Sequence, residues 1–373
     1  MDGHLEDGVV HVDGDARQRF YDSRGYGRPL GGNRVALSRI EAAHLLFRGD
    51  LDSVDGEGFR AFFADSVAAG DRFALRFLVY KDLRGRGFYL APARDSWPGP
   101  ADDAAEGDAA VDLVVYPRGK GPTDGGVEHR VWVAGERETL DAASLLPDEG
   151  ESSVLAVVDE ESEISYFEAS RGAPDGSVDY AAPGGVTGTL LEDRVLVWDP
   201  PGELYEHGFY GQPLSGRAVA DAVGEGLQLS LVEAAALTAA GSLTLGDAGG
   251  DADSDAGTAS ADYDAVVARG REVEGDRFDR RLRGYVELRD RGVVPKTGFK
   301  FGADFRTYAE LESVSELGHS EALVRVLPPE HTFAPRDLAL DVRLAGGVRK
   351  RMVFALTGSN DGIDWLSVGR LTP

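Results

Sequence analysis

No cysteine occurs in the 373 residues, which excludes disulfides, thiolate nucleophiles and sulfur-ligated metals. Lysine is nearly as scarce: 34 of the 39 basic residues are arginine and five are lysine. Long apolar runs are missing too. None approaches the ~18 residues of a spanning helix, and the opening MDGHLEDG is acidic, without the apolar stretch of a secretory signal. A soluble, cytoplasmic protein is the expectation. What the chain has in excess is acid, 65 Asp and Glu giving a formal charge of −26. Such a surface suits a halophilic cytoplasm, because in molar salt the Debye length falls to about 3 Å and like-charge repulsion is screened. The usual basic footprint of a nucleic-acid binder is absent, although a polyanionic partner is not thereby ruled out.

The chain is also written twice. Residues 5–12 (LEDGVVHV) return at 191–198 (LEDRVLVW), and Tyr26-Gly27-Arg28-Pro29-Leu30 returns as Tyr210-Gly211-Gln212-Pro213-Leu214. Leu37-Ser38 with Glu41-Ala42 matches Leu229-Ser230 with Glu233-Ala234, and Gly70-Asp71-Arg72-Phe73 matches Gly275-Asp276-Arg277-Phe278. YKDLRGRG from Tyr80 returns as YVELRDRG from Tyr285. The matches are collinear, the period is far too long for a solenoid, and the length accommodates two to four compact units.

Residues 170–188 are rich in Gly, Pro and Ser and read as the linker between copies; the acidic stretch 246–262 reads as a mobile surface insertion. Each copy opens on short strands (Val9, Val10 and Val12; Val195 and Val197), followed by a helix over 37–47 or 229–240. A second helix leads into the YKDLRGRG-type element, where glycine acts as a stop. Strands are expected over 293–301, at Ala322, Val324 and Val326, and over 352–356, with a helix over 336–349. The fold class is thus α/β (α+β), a tandem duplication in which each half carries a small α+β lobe and an α/β lobe with a mixed sheet. The expected boundaries are 1–70 and 71–170 for the first half, 171–188 for the linker, and 189–270 and 271–373 for the second.

Three of the five lysines, Lys296, Lys300 and Lys350, fall in the last eighty residues, and Lys350 sits in Arg349-Lys350-Arg351 between a helix and an apolar strand. A cation is favoured at that helix end in any case, by about 0.3–1 kcal/mol. KTGFKFGADFRTY (296–308), then His319-Ser320, then Val348-Arg349-Lys350 before MVFAL, resembles the catalytic half of an archaeal tRNA-splicing endonuclease of the duplicated, homodimeric type. The resemblance covers the whole chain. It implies a metal-independent, cofactor-free endoribonuclease that excises introns from precursor tRNA at a bulge-helix-bulge, leaving a 2′,3′-cyclic phosphate and a 5′-hydroxyl. The family's catalytic residues fall on Tyr308, His319 and Lys350, and a base-gripping arginine on Arg343.

Chemistry supports those roles. Cleavage through the RNA's own 2′-hydroxyl needs a base, an acid for the departing 5′-oxygen and a cation at the phosphorane. Histidine, with an ordinary pKa of about 6.5, suits the acid, and a lysine is a compact point charge for the oxyanion. A phenol near pKa 10 needs nearby cations to act as base, and otherwise orients the hydroxyl. Because salt weakens phosphate affinity, recognition should lean on arginine forks and stacking, with Arg306, Arg343, Arg349 and Trp365 as candidates.

In the first copy, laying Leu113–Pro117 on Val324–Pro328 puts Asp108 at the histidine, and laying Val154–Val158 on the last apolar strand puts Glu151 at the lysine. That half is expected to have lost the reaction and kept the fold. The resemblance further implies that an acidic loop, here Asp159, Glu160, Glu161 and Glu163, docks into a basic pocket of a partner chain's catalytic half. Two other function classes compete: a non-catalytic RNA-binding scaffold, in which the three positions would have decayed, and a metal-dependent DNA nuclease, for which the acids around Asp304 and Glu310 make no convincing cluster. DADSDAG near Asp251 lacks the glycine and terminal glutamate of a calcium loop.

Overall fold

The computed structural model describes residues 1–93, 111–121, 124–214, 226–246, 256–358 and 362–373. The chain divides into two compact units, residues 1–171 with 332–340 and 368–373, and residues 172–331 with 341–367. Each is α+β and each has its own apolar core. No helix among the described residues is long and apolar enough to cross a membrane.

Both units open on a small sheet with one strand order. In the first unit it runs Arg28–Pro29, Val35–Ser38, Val9–Val12, Asp2–Glu6, Ser53–Val54; in the second, Gln212–Pro213, Leu227–Ser230, Arg194–Val197, Val186–Leu190, Leu243–Leu245. The following helices, Arg39–Arg48 and Leu231–Ala239, begin at reciprocal capping boxes, Ser38 with Glu41 and Ser230 with Glu233. Each buried glutamate also receives a backbone N–H, from Gly27 at 2.7 Å or Gly211 at 3.0 Å. Only glycine serves there: both residues have φ near +65°, and a β-carbon would come within 2.2 Å of the Ala36 carbonyl or 2.6 Å of the Gln228 carbonyl.

The repeated helices Phe73–Gly85 and Asp276–Asp290 end in the same 6→1 and 5→2 bonds, Phe88 to Leu83 with Gly87 to Arg84, and Val293 to Leu288 with Gly292 to Arg289. Gly87 and Gly292 take φ +90° and +69°, as that cap requires. Beyond them runs a mixed sheet. In the second unit Val294–Thr297, Phe305–Tyr308 and Ala322–Leu327 are antiparallel neighbours, and Arg351–Thr357 is parallel to Ala322–Leu327. In the first unit Leu90–Pro92, Leu113–Val115, His129–Gly135 and Ser152–Val158 repeat that pattern.

Three expectations need correction. The LED strings at residues 5 and 191 are not structurally equivalent. Leu5 pairs Val10, whereas Leu190 pairs Val195, so the buried Val10 and Val12 correspond to Val195 and Val197, one residue from the identity match. The first hairpin turns on Asp7-Gly8, both at positive φ, while Glu192-Asp193 in the second lacks that geometry; a one-residue slip would have reversed every side chain, so burial set the register. Secondly, residues 247–255 of the expected insertion lie outside the described residues, but 256–262 open the helix Ala256–Glu274, where the buried Asp262 accepts the Leu245 N–H. Thirdly, Leu113–Val115 occupies the place of Phe305–Tyr308 and not of Val324–Pro328.

Candidate active site

Tyr308, His319 and Lys350 come from three chain segments at the same end of neighbouring strands of the mixed sheet. Tyr308 ends its strand, paired with Val294, and its neighbour Thr307 accepts the Glu321 N–H at 2.9 Å. His319 therefore lies just outside the point where the next strand begins, and it is exposed. On the far side, Arg351 N–H donates to the Glu321 carbonyl at 3.0 Å, which sets Lys350 beside the same entry. The Lys350 ammonium donates to the Ser320 carbonyl, next to His319.

The helix Pro335–Gly347 delivers Lys350. Lys350 N–H bonds the Ala345 carbonyl and Arg349 N–H the Gly346 carbonyl, again the 6→1 and 5→2 pair, but here the left-handed position is Arg349 at φ +58°. A side chain in that conformation costs about 1 kcal/mol relative to glycine. Partial burial, and then the charge of Arg306, lower the Lys350 pKa below the usual lysine range. Arg306 also stands 5.8 Å from the Tyr308 ring centre, and its buried Nε has no hydrogen-bond partner among the described residues. Tyr308 is 6 % exposed, its ring 5.7 Å from that of Phe209.

A cavity of about 660 Å³ shares Arg306 with this site; its wall also includes Arg194, Arg281, Phe299 and Lys300, but none of Tyr308, His319 and Lys350. Phe299 is 86 % exposed at its rim. Lys296, singled out by scarcity, is spent on structure: its ammonium lies 2.5 Å from Glu233 Oε1 and 3.0 Å from the carbonyls of Phe209 and Gly211. Burial raises the Glu233 pKa, but Lys296, together with the N–H bonds from Ser230 and Gly211, more than offsets this and leaves it low; burial lowers that of Lys296 itself. The Ser-x-x-Glu spacing at 230–233 signals the capping box but not its cation, since Ser38-x-x-Glu41 has the same spacing and capping box with Ala91 in the lysine's place.

Of the arginines, Arg343 is exposed on the helix leading to Lys350 and Arg349 is exposed just past its end. Trp365 is not a stacking surface: it is 6 % exposed and packs in the second unit's core.

The first unit provides the comparison that the sequence alignment missed. Asp112 and Asp304 are equivalent. Each is buried beside two arginines at the start of the repeated helix, Arg72 and Arg76 or Arg277 and Arg281, and each accepts a strand N–H, from Val133 at 2.9 Å or Val326 at 2.8 Å. Glu128 N–H on the Val115 carbonyl matches Glu321 N–H on that of Thr307. Counting along these anchors, Tyr116 stands at Tyr308 and Gly126 at His319, while the parallel pairs Val154 with Val131 and Val353 with Val324 put Glu151 at Lys350. The sequence assignment of Asp108 therefore fails, and residue 108 itself lies outside the described residues. Glu151 is bound to Arg130 at 2.9 Å, a carboxylate where the second unit has an ammonium. The tyrosine survives, buried at 5 % exposure and pushed up to about 12 by burial.

The sequence matches the tRNA intron endonuclease N-terminal domain at residues 1–63 and 186–255, and the catalytic C-terminal domain at 278–365. Over 373 residues it is 56 % identical to a protein of Haloferax volcanii named tRNA-splicing endonuclease, with all of both chains covered. The chain belongs to the tRNA-splicing endonuclease family. A protein of that name from Halobacterium salinarum is 58 % identical over the full length of both chains, and one from Methanococcoides burtonii 36 % identical with 97 % of each covered. Within this family the duplication is explicit, and Tyr308, His319 and Lys350 all lie in the stretch that matches the catalytic domain.

Proposed function

We propose that the second unit cuts precursor tRNA at bulge-helix-bulge sites without a metal. The substrate 2′-hydroxyl attacks the adjacent phosphorus; a 2′,3′-cyclic phosphate forms, and the 5′-oxygen leaves with a proton. Tyr308, with Arg306 beside its ring, takes the proton of the 2′-hydroxyl, His319 gives a proton to the 5′-oxygen, and Lys350 exchanges the Ser320 carbonyl for the crowded phosphoryl oxygens. Arg306 adds a second cation, and Arg343 and Arg349 grip bulged nucleotides. The observation that carries this reading is the meeting of three chain segments around Ser320-Glu321, with the reversed charge of Glu151 at the equivalent place in the first unit.

The active form in this reading is a homodimer. The hairpin turn between Ser152–Val158 and Ile164–Arg171 is built by Asp159, whose carboxylate accepts N–H groups of Glu161 and Glu163 at 2.9 Å each. That leaves the exposed Glu161 and Glu163 to enter the basic cavity of a second copy. Glu160 is already paired with Arg137. Reversing Glu161 and Glu163 to lysine should release monomers and cut activity; unchanged dimer mass and turnover would refute the docking.

The deciding experiment for the chemistry is cleavage of end-labelled bulge-helix-bulge RNA in EDTA. Persistent cutting with cyclic phosphate and 5′-hydroxyl ends is expected. Loss of cutting in chelator, or 5′-phosphate ends, would overturn the proposal.

A further inference from the structure

We propose that residues 176–178, in the connector between the two copies, form a strap that positions Tyr308; the proposal rests on Tyr308 acting at the scissile phosphate. The connector is Gly- and Pro-rich, yet it is bonded along its length. Ser177 N–H donates to the carbonyl of Ala309, the residue directly after Tyr308, at 2.8 Å. On either side of it, Gly176 and Val178 N–H groups donate to the carbonyls of Arg291 and Gly292, both at 3.0 Å. Three consecutive N–H groups thus tie the capped end of the helix Asp276–Asp290 to the strand end that carries Tyr308.

The fit leaves no slack. A β-carbon on Gly176 would lie 2.3 Å from the Gly292 carbonyl oxygen, 2.6 Å from that of Ala309 and 3.0 Å from Ala309 Cα, all backbone atoms that cannot swing aside. The strap is anchored before and after this point. Gly172 N–H bonds the Trp365 carbonyl at 3.1 Å, Asp175 pairs with Arg291 at 3.1 Å, and Ser242 Oγ donates to the Ala182 carbonyl at 3.1 Å. Sheet pairing of this strand ends at Tyr308, so the Ser177 bond holds the backbone where the ladder stops, while Phe209 packs near the ring. A displacement of about 1 Å in a reacting group can cost on the order of 10²-fold in rate, so a single bond at this point has leverage.

The test is an amide-to-ester exchange at position 177 in the full chain, made with the α-hydroxy analogue of serine, which deletes the N–H donated to Ala309 and keeps every side chain. Single-turnover cleavage and RNA dissociation constants are measured on a bulge-helix-bulge RNA, in the native background and with Tyr308→Phe. The strap predicts cleavage slowed by about tenfold with RNA affinity within about twofold, and little further slowing once the phenol hydroxyl is gone. Gly176→Ala should show the same pattern. An unchanged rate, or equal slowing in both backgrounds, would overturn the strap while leaving the catalytic reading intact. Full activity of Tyr308→Phe alone would overturn the reading of Tyr308, and the strap's purpose with it.

Discussion

Replacing Lys296 with methionine tests whether the buried pair in the cavity wall is a stability element, and the first unit shows what the carboxylate does without a lysine. Lys296 and Glu233 side chains are 10 % and 7 % exposed. Without the lysine, Glu233 keeps its bonds from Ser230 N–H, Ser230 Oγ and Gly211 N–H, the set that Glu41 has from Ser38 and Gly27. Counting along the strands, Ala91 takes the place of Lys296, opposite Val114 as Lys296 is opposite Arg306. Burial accordingly pushes Glu41 above the ordinary glutamate pKa, whereas Lys296 holds the equally buried Glu233 below it. The variant has an escape, which is to protonate Glu233. From an ordinary pKa of 4.5 this costs about 3.4 kcal/mol at pH 7 and about 0.7 kcal/mol at pH 5, at about 1.36 kcal/mol per pH unit. The larger figure falls in the ~3–5 kcal/mol range for breaking a buried ion pair.

A depressed carboxylate stabilises the native state above its unfolded pKa and loses that contribution as pH falls through the folded one, so the native protein keeps its pair at pH 5. Lys296→Met should therefore lose about 3 kcal/mol at pH 7 and about 1 kcal/mol at pH 5 relative to the native chain. Urea unfolding at fixed salt, followed by tryptophan fluorescence, reads both. Adding Glu233→Gln should remove most of the pH dependence. Equal losses at the two pH values, or a loss under about 1 kcal/mol at pH 7, would refute the reasoning.

Two further outcomes follow from the site. His319→Ala should cut ordinary RNA at least ~10²-fold more slowly yet recover most of its rate on a substrate with sulfur in place of the scissile 5′-oxygen, since a thiolate leaves without a proton; no recovery would remove His319 as the acid. Arg349→Gly should raise stability by about 1 kcal/mol in chemical unfolding, by relieving the left-handed side chain, while weakening binding of bulged RNA; destabilisation would show that the Arg349 side chain supports the fold.

Much of the architecture was legible because glycine and periodicity carry local information. Gly87 and Gly292 stop their helices as read, and the apolar alternation at Ala322, Val324 and Val326 lies in a strand. What escaped was decided by tertiary partners. The identity match at residue 5 was one residue out because burial of Val10 and Val195 outweighs resemblance between turn residues. Sequence alone aligns Asp108 with the histidine because apolar triplets such as Leu113–Val115 look alike on any strand; the hydrogen bonds at Asp112 and Glu128 distinguish them. Trp365 read as a platform because no periodicity places a lone tryptophan inside or outside. The connector read only as a linker because its backbone bonds leave no trace in side-chain composition. Among the candidate site residues, Lys350 was signalled by scarcity, but the same signal pointed to Lys296, whose ammonium is held by Glu233.

The most direct measurement is a comparison of single-turnover cleavage by Tyr308→Phe, His319→Ala, Lys350→Ala and the triple variant on one bulge-helix-bulge RNA, with RNA affinity recorded for each. If the three groups act as a unit on one phosphate, each single change is severe and the triple falls little below the worst of them. Independent, multiplying losses, or single variants that cleave at the native rate, would contradict the convergence of these side chains on the scissile bond.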